Sequence, residues 1–76
     1  MERLPVKSSN IKTIGYKEGI LEVEFTSGSV YQYNEVPQEI YVNILEAESK
    51  GKYFAKVVRP KFKAVKIELE KKIWRE

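Results

Sequence analysis

Residues 11–34 hold three short runs of sheet-forming side chains, separated by gaps that admit only tight turns. The runs are Ile11–Tyr16, Ile20–Phe25 and Ser29–Asn34, all rich in β-branched, aliphatic or aromatic residues. Lys17-Glu18-Gly19 and Thr26-Ser27-Gly28 join them. A parallel crossover needs about a dozen residues or more, so connections this short restrict neighbouring strands to antiparallel pairing. Each gap contains a glycine, which reaches the positive φ that tight hairpins need; the first gap suits a three-residue connection. Leu21, Val23 and Phe25 alternate with Glu22 and Glu24, the pattern of a strand with one buried face.

After Asn34 the period changes. Val36-Pro37 opens a helix, with proline at the first helical position, where its missing N–H costs nothing. Glu39 falls in the first turn and suits the helix dipole. Ile40, Tyr41, Ile44, Leu45 and Ala47 lie on one stripe, and Gly51 is expected to cap the C-terminus. Tyr53, Phe54, Val57 and Val58 continue a helical stripe for a turn or two before Pro60 stops it. The tail reads two ways. Val65, Ile67 and Leu69 alternate with charged residues as in a strand, whereas Phe62, Leu69 and Ile73 approach a helical stripe and Glu68–Lys72 is an i, i+4 pair. A strand over about 63–68 with a frayed or helical end is preferred.

The expected fold is therefore α+β. A small three-stranded antiparallel β-meander carries one helix packed across it, then a short helical turn and a C-terminal edge strand. Residues 1–10 form an irregular N-terminal arm, with Pro5 and Ser8-Ser9-Asn10 as turn formers. Residues 11–67 form the domain and 68–76 a C-terminal extension. The expected core is Ile14, Leu21, Val23, Phe25, Ile40, Tyr41, Ile44, Leu45, Phe54 and Val58, with Tyr31 or Tyr33.

Composition narrows the chemistry. Seventy-six residues leave little room for a deep cleft, because a chain this short buries only about 60% of its unfolded surface. There is no cysteine for a disulfide or thiolate metal site, and no histidine to act as general base or metal ligand. Ser8-Ser9 and Ser27-Gly28-Ser29 lack an activating histidine and any phosphate-cradling glycine motif. Glu22 and Glu24 are too few for a metal cage, and are expected to form a solvated face paired with Lys12 across the hairpin. No enzyme activity, cofactor, metal or small-molecule substrate is expected. No apolar run approaches the ~18 residues of a membrane span, and residues 1–5 lack a signal-peptide core, so a cytoplasmic protein is expected. All eleven acids are Glu and eleven of fourteen bases are Lys. Thermophile proteins share that bias, and an AT-rich genome produces it too.

The order of residues is also familiar. Ser8-Ser9-Asn10-Ile11, Ile14-Gly15-Tyr16, Leu21-x-Val23-x-Phe25, Gly28, Val30-Tyr31-Gln32-Tyr33, Val36-Pro37 and Ala47-x-Ser49-x-Gly51-x-Tyr53-Phe54 together resemble the KTSC domain family. The resemblance spans roughly residues 6–67. It implies a small domain that often stands alone and also forms the C-terminal extension of some lysyl-tRNA synthetases. That fusion suggests RNA binding, and the family carries over no catalytic residues. Ala55 stands where the family often has a polar residue such as Asn, and 68–76 run past the usual domain end.

Charge points to an anionic partner. Residues 1–49 hold four basic and eight acidic side chains; residues 50–76 hold ten and three, so a net charge of +3 hides segments of −4 and +7. Lys50, Lys52, Lys56, Arg59, Lys61, Lys63 and Lys66 surround Tyr53, Phe54 and Phe62. Such clustered cations suit phosphates, RNA before DNA, and a lysine majority suits backbone contact better than base readout. The alternative is a solvated lysine face that maintains solubility. Tyr31 and Tyr33 share a strand face, where they either stack unpaired bases or pack beneath the helix. A competing function is protein interaction or self-association through the sheet edges and the tail, with Ile73 and Trp74 as anchors.

Overall fold

A computed structural model of the chain describes residues 3–67. It is α+β, with a five-stranded antiparallel sheet in sequence order and two helices. The expected meander forms the centre of that sheet as β2 (Ile11–Lys17), β3 (Ile20–Phe25) and β4 (Val30–Tyr33). β5 (Ala64–Ile67) pairs with β4 as the expected edge strand. The arm is not wholly irregular. Its Leu4–Pro5 forms a two-residue strand, β1, against β2, which makes the sheet five-stranded. Proline is tolerated there because an edge strand leaves one side of its backbone unpaired.

The first hairpin is tighter than expected. Lys17 pairs directly with Ile20, so the loop is Glu18-Gly19, both at positive φ (46° and 83°), as a two-residue primed turn requires. The second turn closes with Phe25 N–H donating to Ser29 O at 2.9 Å, and Gly28 sits at φ +101°. A register shift between Ile11 and Thr13 marks a bulge in β2. It lets Ile11 and Ile14, three residues apart, both reach the core.

Helix α1 runs Gln38–Glu46, with Pro37 one position earlier than expected, as an extended N-cap. It ends before Gly51, which lies instead inside a second helix, α2 (Lys50–Tyr53). That glycine faces the N-terminal arm at ordinary contact distance. A Cβ on Gly51 would lie 3.4 Å from Asn10 Nδ2 and 3.6 Å from Ser8 Oγ. α2 continues as a π-helical turn over Phe54–Val58, closed by Arg59 N–H donating to Phe54 O at 3.1 Å.

Both helices pack on the face of the sheet that carries Ile11, Ile14, Leu21, Val23 and Tyr33, and they add Ile44, Phe54 and Val58 to the buried cluster. Val36 joins it, held where Tyr16 Oη donates to the Val36 carbonyl. Phe25, Tyr31, Ile40 and Tyr41 pack around this cluster half-buried, whereas Leu45, expected in the core, lies at the margin.

Candidate functional site

The seven cations of the basic segment do not share one environment. Lys50 is half-buried, and its Nζ donates to the Ala47 carbonyl at 3.1 Å. Lys52, Lys56, Arg59, Lys61, Lys63 and Lys66 are all exposed. Among the described residues none of these six has a carboxylate within salt-bridge distance, and the ion pairs found there both start from Arg3. Phe54 and Val58 are buried while Lys52 and Lys56 are exposed, so this stretch docks through its apolar side and presents cations outward. The wide π turn replaces the regular α-helical spacing expected for that stretch.

Tyr31 and Tyr33 lie on the face that carries the helices. Tyr33 is 5% exposed and meets Phe54 edge-on at 5.3 Å between centroids. Tyr31 is half-buried and meets Phe25 edge-on at 5.8 Å, and Phe25 in turn meets Phe54 at 5.5 Å. The rings therefore do not form a platform on an open sheet face. They floor a groove of about 470 Å³, lined by Phe25, Tyr31, Tyr33, Arg59, Phe62 and Ala64. Burial holds the Tyr33 phenol above its ordinary pKa, opposed by the Arg59 guanidinium and aided by Tyr31. Lys66 pairs across from Tyr31 in the β4–β5 ladder, which puts both on the same face of the sheet.

Two further depressions lie beside this groove. One, about 200 Å³, shares Phe25 and Arg59 with it and adds Asn10, Ile11, Gly51, Phe54 and Ala55. The other, about 340 Å³, shares Asn10 and Gly51 with the second and is lined by Lys7, Ser8, Ser9, Glu48, Ser49, Lys50 and Lys52. The three lie side by side, each sharing two lining residues with the next, aromatic at one end and hydroxyl-rich at the other, where Lys7, Lys50 and Lys52 stand with Glu48. The depression at the polar end brings together Ser8-Ser9-Asn10 and Ser49-x-Gly51, motifs some forty residues apart in sequence. Ser8 Oγ shapes that end by accepting from the N–H groups of Asn10 and Ile11, both at 3.2 Å.

The opposite sheet face carries the carboxylates. Arg3, rather than Lys12, is their partner: Arg3 Nη1 lies 2.7 Å from Glu22 Oε2, and Nη2 lies 3.9 Å from Glu24 Oε1. Lys12 falls in the bulge, outside the paired register. Gln32 Nε2 donates to Glu22 Oε1 at 2.7 Å and Thr13 Oγ1 to Glu24 Oε1 at 3.0 Å. Among the described residues no cluster of three potential metal ligands occurs, and no helix there is long and apolar enough to cross a membrane. Ile73 and Trp74 lie outside the described residues.

Phe25 and Phe62 were not singled out as site residues from the sequence. The signal available was the position of Phe62 between Lys61 and Lys63; for Phe25, strand alternation indicated only a core residue.

The KTSC domain model matches residues 7–62. The chain is similar to an uncharacterised protein of Stutzerimonas stutzeri, 44% identical over 62 residues that cover 79% of this chain and 87% of that protein. It also resembles a lysine–tRNA ligase of Nostoc punctiforme, 42% identical over 62 residues, 79% of this chain but 11% of the ligase. Among solved structures, a KTSC domain protein from Yersinia pestis matches with a TM-score of 0.82 and 41% identity, covering 88% of this chain and 97% of that one.

Proposed function

This chain belongs to the KTSC domain family, and from that membership we propose that it is a small non-catalytic module that binds nucleic acid, RNA before DNA. Lys52, Lys56, Arg59, Lys61, Lys63 and Lys66 hold the phosphate backbone. The observation that carries this reading is that all six are exposed and, among the described residues, lie beyond salt-bridge distance of any carboxylate. Exposed cations that no described carboxylate pairs with can neutralise phosphates and release condensed counterions. Glu22 and Glu24 do not oppose such a ligand, because they lie on the far sheet face and are paired with Arg3. Five of the six are lysines, which act as point charges on a backbone rather than as bidentate readers of bases. A related segment in proteins named as lysine–tRNA ligases supports RNA as the first choice.

The test is affinity for single-stranded RNA over a salt series. Engagement of four phosphates gives a log–log slope of about −3. Salt-independent binding, or none at low salt, contradicts the reading. A second reading, self-association, draws on the apolar residues exposed on the two edge strands, Leu4 at 52% and Val65 at 50%. A solution mass that doubles, and that returns to the monomer with Leu4→Glu or Val65→Glu, favours it.

A further inference from the structure

We infer that the aromatic groove is a seat for one unpaired nucleobase of a single strand, with the adjoining phosphate on Arg59. This rests on the backbone-binding reading and names the state of nucleic acid that the site selects. Tyr31, Phe25 and Phe62, each half-buried, line a groove of about 470 Å³, within the ~300–1,000 Å³ range of small-ligand sites. Every base has a π-face, so stacking on aromatic rings is tolerant of base identity. Arg59 lines both the aromatic groove and the depression next to it, so its guanidinium stands where the strand leaves the base seat for the backbone track. Charge complementarity selects the occupant. A neutral apolar ligand would leave Arg59 and the neighbouring exposed Lys61, Lys63 and Lys66 unused, whereas a nucleotide uses rings and cations together. A duplex base is already stacked and paired and cannot enter.

The test uses the full chain and a short single-stranded RNA carrying one 2-aminopurine, with its duplex and a strand abasic at that position as controls. Seating quenches the 2-aminopurine, and loss of one stacked base weakens binding of the abasic strand by about tenfold. Phe62→Ala and Tyr31→Ala each remove the quench and about tenfold in affinity while leaving the salt slope unchanged; Tyr31→Phe retains both. If a thermal melt shows Tyr31→Ala unfolded, Phe62→Ala decides. Salt-sensitive binding with no quench, equal for the abasic and intact strands, overturns the base seat and leaves the backbone reading standing. Absence of binding to any strand at low salt overturns both.

Discussion

At the scale of single residues, burial separates side chains that look alike in sequence. Ile44 and Leu45 are adjacent on one helical stripe, yet Ile44 is fully buried and Leu45 is half-exposed at the rim. Ile44→Ala should therefore cost about 2–5 kcal/mol, through lost transfer energy and a cavity. Leu45→Ala should cost less, and urea unfolding of the two variants side by side checks the order. Such a loss is large against a typical total of about 5–15 kcal/mol. Tyr33 adds a pH dependence. Its phenol is held above the ordinary value by burial, so the unfolded chain ionises first as pH rises. The stability that Tyr33 contributes is complete below the ordinary phenol value of about 10 and is lost as pH climbs through the raised one. Tyr33→Phe should flatten the fall in urea midpoint above that pH. An identical fall in both proteins would remove Tyr33 as its source. Most of the core was legible from alternation and helical stripes. Ile11 and Val36 were not, because a bulge and a turn, rather than a period, carry them inward.

At the scale of elements, backbone conformation set what the sequence could reveal. The meander followed from short glycine-bearing gaps, and those glycines take positive φ. A Cβ at Gly19 or Gly28 meets nothing within 4 Å, so Gly→Ala at either position should cost backbone strain alone, about 1–2 kcal/mol. Thermal melts of the two variants measure this; no change would mean the turns relax freely. β1 was not legible because two residues cannot display a period, and proline argues against a strand until its edge position is known. Arg3 extends that edge and bridges Glu22 and Glu24 while partly exposed. Arg3→Ala should therefore cost at most about 1 kcal/mol in urea unfolding. Gly51 resembled a C-terminal cap because caps favour glycine. Its position beside Ser8 and Asn10 brings together segments about forty residues apart, which no local pattern encodes.

At the scale of the molecule, the carboxylates of β3 and the basic segment stand on different sides of the sheet. Glu22 and Glu24 stand with Arg3 on one side, while the described basic segment runs past the helix-bearing side and along β5. The run of lysines was plain in the sequence, as was the ordered set of motifs that marks the family. The aromatic groove was not, because its walls come from β3, β4, the residues between the π turn and β5, and β5 itself, and only the fold assembles them. The most direct measurement compares the wild-type chain with a Lys52→Glu, Lys56→Glu, Arg59→Glu variant, titrating each against labelled single-stranded RNA at low salt. All three positions are exposed, so the variant should melt as the wild type does. It should also lose RNA binding by at least about a hundredfold, as charge-assisted contacts become repulsions. A folded variant that binds RNA as tightly as the wild type would contradict the assignment of this segment to nucleic acid.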